Sequence, residues 1–535
     1  MKLRKKAIAI VSLVLASAML FTACGSGGTN STGSQAQPSA SGNANAGAKS
    51  KDNDLVIATS ETVLTLDPHN MTSTNTISAN RTMYESLLTF DKDMKNIVPQ
   101  LAKSYTVSKD GLIYTFTLQT GVKFTDGTDF NADAVKANIE RCMDEKNNLK
   151  ERKYFAKVKE VKCTDANTIQ ITLKEPYSVF INKMTNFGIA SPKAIKDGTK
   201  LNSVAVGTGP YKLKEWDQAD HLTVVRNDSY WGTKPGVDSI TFKVVPEAGS
   251  RIAMLQTGEA DMVYPIPPEQ IKSIDGAKDV KVESVPSNIV YYVTLNMSHK
   301  PFDNVKVRQA MNYAIDKDAF VKVVYGGYGD HATSPMASTT QYYSKQEEYA
   351  FNIQKAKELL KEAGYPNGFK TTIWSDNTSD SVKGMQFINQ QLAQVGITAE
   401  VVPMEGATLN DKINEAKTAA ESKIDMWYVN WSPSSGDADG ALRALFYSQN
   451  IPPVNANTAY YNNPAIDKLL DQGLSQTSPE KLTSIYAEAQ KTIWNDAPWL
   501  FLGQPVVQYG IKNYASNVYM MADGSISCAQ ATLAH

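Results

Sequence analysis

At 535 residues the chain is too long for one hydrophobic core, and length alone points to about three domains. With 42% hydrophobic and 20% charged residues its composition is that of an ordinary globular protein, and a formal net charge of −1 offers no basic stripe, which excludes nucleic acid as a partner. Four cysteines without a C-x-x-C pair and five histidines without ligand spacing provide no metal site, and nothing calls for a cofactor.

The chain opens with Lys2, Arg4, Lys5 and Lys6. An apolar run over 7–21 follows, short for a spanning helix and right for the core of a secretory signal. Thr22-Ala23-Cys24-Gly25 then resembles a bacterial lipobox, with Phe21 where that pattern prefers Leu. The resemblance implies a signal peptide over 1–23 and lipidation of Cys24, which would hold the protein to the extracytoplasmic face of the cell membrane. Residues 25–51 carry no aromatic and no branched aliphatic side chain, so 24–53 is expected to be a flexible tether reaching about 30 Å.

Folding sequence starts at Asp54. Residues 55–59 read as a strand, Thr65-Leu66-Asp67-Pro68-His69 as a turn in which Pro sets φ, and 77–88 as a helix. In the strand 112–118, Leu112, Tyr114, Phe116 and Leu118 share a face. After turns at Thr120-Gly121 and Thr125-Asp126-Gly127, Asn131 is placed to cap a helix carrying Val135, Ile139 and Cys142. Residues 157–173 read as two strands about Asp165-Ala166-Asn167. Cys142 and Cys163 read as buried free thiols, with a disulfide between them left open.

The segment VPQLAKSYTVSKDGLIYTFTLQTGVKFTDGTDFNADAVKANIER, which starts at Val98, resembles the signature of the family 5 bacterial solute-binding proteins. These are the peptide, nickel and glutathione receptors of ABC importers. The resemblance implies an α/β, two-lobed fold of the periplasmic-binding-protein type (cluster C, peptide-binding), with a hinge between lobes and an extra third domain. The expected division is 54–82, 207–295 and 504–535 for lobe I, 83–206 for the extra domain and 296–503 for lobe II.

Further on, Gly207-Thr208-Gly209-Pro210-Tyr211 marks a place where backbone approaches backbone or ligand, and it resembles the family's GTGPY crossing. AMLQTGEAD from Ala253 resembles another family element. Residues 288–295 read as a central strand, and the next helix puts Val307, Met311, Ala314 and Ile315 on one face, with Arg308 structural. A helix over 353–363 stopped by Gly364, a strand over 370–374, a helix ended by Gly396 and a strand over 397–401 give β-α-β order and a second α/β lobe. Trp494 to Leu502 and Val506 to Tyr509 return the chain to its starting lobe.

Enzymatic chemistry finds no support. There is no G-x-S-x-G elbow, and Ser478-Pro479-Glu480-Lys481, which fits S-x-x-K, reads better as a helix N-cap with Pro behind it. The informative stretch is 428–447, YVNWSPSSGDADGALRALFY: a strand, a polar loop, then a helix with Ala441, Leu442, Leu445 and Phe446 inward. In oligopeptide- and dipeptide-binding members of the family, a Trp here is followed three residues later by an Asp that pairs with the ligand ammonium. In this chain that position is Ser434, and the nearest acid is Asp437.

The loop, together with PIPPEQ, PFDNVKVRQAMNYAI, KELLKEAGYPNGF and QQLAQVGI, resembles the glutathione-binding members. That implies a glutathione-like small peptide as ligand, with a general oligopeptide or dipeptide ligand, or a nickel chelate, kept open. Expected ligand contacts are Trp431 as a wall, Asn430, Ser432 and Ser434 as hydrogen-bonding groups, Asp437 for the ammonium, and Arg81 and Arg443 for carboxylates, with Tyr84 and Tyr291 as weaker candidates. The expected partners are an ABC permease with its ATPase, and the membrane through the lipid anchor; the protein is expected to act as a monomer.

Overall fold

A computed structural model describes residues 53–433 and 436–534. The signal peptide, Cys24 and nearly all of the tether lie outside the described residues, as does Ser434. No helix among the described residues is long and apolar enough to cross a membrane.

The 14-residue strand Trp499–Lys512 is the spine of a 12-stranded sheet. Its first part pairs antiparallel with Val290–Leu295, its middle with Gly329–His331, and its last part with Val280–Pro286 and Met262–Tyr264. Outward from Val290–Leu295 the sheet continues through Met426–Trp431, Lys370–Asp376 and Thr398–Met404. Outward from Met262–Tyr264 it continues through Asp54–Thr59, Ser239–Val244, His221–Arg226 and Tyr211–Asp217. Gly503 and Pro505 made this spine look like two pieces, yet the strand runs through them. A Cβ on Gly503 would stand 2.9 Å from the Tyr325 ring and 3.0 Å from the Asp330 carbonyl, so glycine serves close packing there. Pro505, without an N–H for the ladder, offers its carbonyl to the Ser287 N–H (3.3 Å) and hydroxyl (2.6 Å).

Strand periodicity explains why Val290–Leu295 is apolar on both faces. Val293 and Leu295 join Val307, Met311 and Leu500 on one side. Val290 and Tyr292 join Leu442, Phe446 and Trp499 on the other. Tyr292 stacks on Trp499 with centroids 3.5 Å apart and an interplanar angle of 6°, and Phe446 reaches the same indole at 4.5 Å. Each such buried ring stabilises by about 2–3 kcal/mol. The helix Ala438–Phe446 is thereby pinned to the sheet through Ala441, Leu442, Leu445 and Phe446, the face its spacing indicated.

Residues 102–173 build a separate antiparallel sheet in the order Ala102–Val107, Ile113–Leu118, Thr168–Leu173, Val158–Asp165. The helix Ala132–Met143 buries Val135, Ile139 and Cys142 in the same core, and its Asn131 cap accepts from the Ala134 N–H at 3.0 Å. Cys142 is a buried free thiol; Cys163, half-buried, is also free.

Three contacts fasten this sheet to the 12-stranded one. Arg141 makes two bonds to the Asp67 carboxylate, 2.9 and 2.6 Å, and donates to His69 Nδ1 at 2.6 Å. His69 Nε2 donates in turn to the Gly188 carbonyl at 3.0 Å, so its partners require the neutral imidazole. Burial and then the Arg141 charge hold its pKa down at about 3. The buried Glu85 carboxylate accepts from Thr208 (2.9 Å), Tyr230 (2.7 Å) and Trp231 (2.8 Å). At Gly207 a Cβ would lie 2.2 Å from the Met83 carbonyl, which confirms backbone meeting backbone at the crossing.

One reading changes. The helix expected over 77–88 is Thr74–Met83, because Ser73 caps it and the chain turns extended at Tyr84; Leu88–Phe90 is instead a strand paired with Ile97–Pro99. Ser478 does cap the helix Pro479–Asp496, accepting from Lys481 N–H, and Arg308 is spent on the carbonyls of Phe302 and Asp496.

Candidate functional site

A cavity of about 210 Å³ opens where three parts of the chain meet. The helix Thr74–Met83 contributes its cap Ser73, Ile77 and, from its last turn, Arg81; the segment after the short helix Phe180–Lys183 contributes Thr185 and Asn186; Asn288 and Ser432 close the third side.

Two cations line the cavity. Arg81 donates through Nη1 to Ser525 Oγ at 2.6 Å and through Nη2 to Asp523 Oδ2 at 3.4 Å. Nη1 also meets Met521 Sδ at 3.4 Å, and the side chain stays 25% exposed. Lys183 is more enclosed: its Nζ sits 5.0 Å from the Tyr154 ring centroid and 3.2 Å from Asp437 Oδ2. Ser432 donates to Asn288 Oδ1 at 2.7 Å, and the Asn288 side-chain amide reaches the Pro433 carbonyl at 3.4 Å. Asn182 bonds Gln341 at 3.3 Å, and the Gln341 N–H reaches the Gly436 carbonyl at 3.2 Å. The loop after Met426–Trp431 is thus tied to both the crossing at Asn288 and the helix Phe180–Lys183.

Of the residues expected at the site, Arg81 and Ser432 line this cavity. Asn430 and Tyr291 line a neighbouring one of about 390 Å³. Asn430, on the strand, and Ser432, just past its end, are two positions apart, one lining each cavity.

Trp431 projects to the opposite face, where it packs with the Tyr292–Trp499 core and donates Nε1–H to the Gly440 carbonyl at 3.1 Å. Asp437 is buried, caps the helix Ala438–Phe446 by accepting from the Gly440 N–H at 2.7 Å, and faces the Lys183 ammonium. The cationic partner expected to come from a ligand is supplied by the chain itself. Arg443 bonds Asp439 at 2.9 Å and Asp471 at 2.9 Å, away from both cavities. Burial pushes the Asp439 carboxyl up to about 6 against that guanidinium. Tyr84 is fully enclosed, its oxygen accepting from the Val206 N–H at 3.2 Å.

Sequence reasoning missed Lys183, Asn288 and Asp523. Only Lys183 left a trace: a lone cation inside the apolar run Val179-Phe180-Ile181-Asn182-Lys183-Met184.

The sequence profile of the bacterial extracellular solute-binding proteins, family 5, matches residues 96–453. The chain is 42% identical over 488 residues to the glutathione-binding protein GsiB of Escherichia coli (strain K12), covering 90% of this chain and 94% of that protein. The same protein of Shigella dysenteriae serotype 1 matches equally, at 42% over 488 residues. Among solved structures, HbpA2 from Haemophilus parasuis superposes with a TM-score of 0.82 at 26% identity, over 90% of this chain and 100% of that one. The periplasmic binding protein DppA from Helicobacter pylori, associated with an ABC transporter and solved with the peptide STSA, superposes with a TM-score of 0.70 at 28% identity, over 90% and 98%. The chain therefore has the α/β fold of the cluster C peptide-binding proteins.

Proposed function

The chain belongs to the bacterial extracellular solute-binding proteins, family 5, and so binds rather than transforms its solute; from that premise we propose that it captures glutathione or a closely related small peptide and delivers it to an ABC permease. The observation that carries the reading is Arg81, a partly exposed cation on the cavity that Asn288 and Ser432 close. Glutathione brings two carboxylates and needs such groups. Arg81 receives the carboxylate at one end of the ligand, and Ser432 and Asn288 hydrogen-bond the peptide groups between. An ordinary peptide receptor would need an acid for the ammonium, and Ser434 stands where the peptide-binding members carry it.

The rest of the reading follows from the chain's path. Lobe I (54–82, 207–295 and 504–535), the extra domain (83–206) and lobe II (296–503) close on the ligand by bending at the crossings near Ser287 and Pro505. Lipidation at Cys24 and the tether hold this monomeric receptor beside the permease and its ATPase.

Calorimetry with glutathione and a panel of di- to pentapeptides tests the assignment. Glutathione binds, and Arg81→Met weakens it by about tenfold or more, as loss of a charge-assisted bond does. Heat with ordinary peptides and none with glutathione overturns the assignment.

A further inference from the structure

The cavity next to the cationic one has the opposite character. It is about 390 Å³, and no Lys or Arg lines it. Asp376, the last residue of the strand Lys370–Asp376, and Asp380, in the first turn of the helix Ser379–Ala393, line it. Hydrogen bonds from Thr378 outweigh burial and keep the Asp376 carboxyl below the usual range, so it is charged near neutral pH. Four tyrosines line it, Tyr291, Tyr325, Tyr328 and Tyr428; Tyr291 lies 5.6 Å from Tyr325 and 5.8 Å from Tyr428, centroid to centroid. Aromatic faces beside carboxylates attract an organic cation.

Two further groups in the lining are unspent. Tyr325, 8% exposed, and Gln508, 6% exposed, leave the phenolic oxygen and the amide nitrogen without a partner. Buried polar atoms of this kind call for an acceptor or a water from outside the protein. The lining residues therefore bring carboxylates and rings for a positive group, with a buried O–H and N–H behind them for a negative one. A free α-amino-acid head carries both charges on a single carbon.

We propose that this cavity is the subsite for an intact amino-acid head group: the ammonium between Asp376, Asp380 and the tyrosine faces, the carboxylate on Tyr325 and Gln508. The inference rests on the glutathione reading and deepens it. In a γ-glutamyl peptide the ammonium and α-carboxylate share one carbon, whereas in an α-linked peptide the backbone ammonium and carboxylate lie at opposite ends. The glycyl carboxylate then extends toward Arg81 past Asn430 and Ser432, one of which lines each cavity. The head-group cavity is walled by Pro268 and Gln508 on one side of the crossings and by Tyr325, Asp376 and Tyr428 on the other. A head group seated there touches both sides and favours the closed arrangement.

The test is calorimetry on the full chain with four probes: glutathione, its α-linked isomer, its des-amino analogue (glutaryl-cysteinyl-glycine), and γ-glutamylglycine. Glutathione is expected to bind at least about tenfold tighter than the isomer or the des-amino compound, the usual scale for losing a charge-assisted bond. Tyr325→Phe and Asp380→Asn, one removing a buried hydroxyl and the other an exposed charge, should each shrink that preference while thermal melts stay near wild type. If glutathione binds but the isomer binds equally, or neither variant changes the preference, the head-group subsite is wrong and the glutathione reading stands. If glutathione fails while γ-glutamylglycine binds and is weakened by both variants, the subsite stands and the glutathione reading falls. No heat with either γ-linked compound overturns both.

Discussion

The Lys183–Asp437 pair decides whether the acid of the signature loop serves the ligand or the fold. The two groups meet at 3.2 Å across 254 residues of sequence, with side chains 8% and 3% exposed. At an effective dielectric of about 20 their attraction is roughly 5 kcal/mol, against which desolvation of both ions must be set. Removing one partner of such a buried pair costs about 3 kcal/mol. Lys183→Met keeps the stem and deletes the charge; Asp437→Asn keeps an oxygen for the Gly440 N–H and deletes the charge. Urea unfolding of the two single variants and the double variant should give losses of about 3 kcal/mol for each single and little more for the double, a coupling of about 2 kcal/mol or more. Additivity within about 0.5 kcal/mol would refute the pairing argument. A second readout separates fold from binding. Asp437→Asn should leave the glutathione Kd within about threefold, under 1 kcal/mol, because its charge is matched by Lys183. A hundredfold loss would restore Asp437 as the ammonium anchor.

Two further outcomes test how the halves are fastened. Gly207→Ala places a Cβ 2.2 Å from the Met83 carbonyl, backbone that cannot step aside, so a loss of about 3 kcal/mol or more is expected in urea; a melt near wild type would show that the crossing is loose. His69 is the acid-sensitive fastener. Its folded pKa of about 3 lies below the ordinary 6.5, so the unfolded chain binds the extra proton and stability falls as pH drops from about 6.5 toward 3. Within that window wild type should lose about 1.4 kcal/mol per pH unit more than His69→Gln, and parallel stability–pH curves would contradict a buried neutral imidazole.

Local chemistry was legible in the chain alone. Asn131, Ser478 and Gly364 announced helix ends because caps act within a turn, and the face of Ala438–Phe446 followed from its 3.6-residue period. The signature after Val98 identified the family, and the crossing at Gly207 showed where backbones touch. What the sequence could not supply was which distant group completes each charge. Asp437 looked like an anchor awaiting a ligand until folding brought Lys183 to it, and Trp431 looked like a wall until strand pairing turned it to the other face. Tyr325, Asp376 and Gln508 carried no mark in the chain, being ordinary residues of three remote segments. Periodicity and capping are short-range and survive in one dimension. A site is a sum of charges and donors from segments hundreds of residues apart, and only the packing of those segments sets which of them meet.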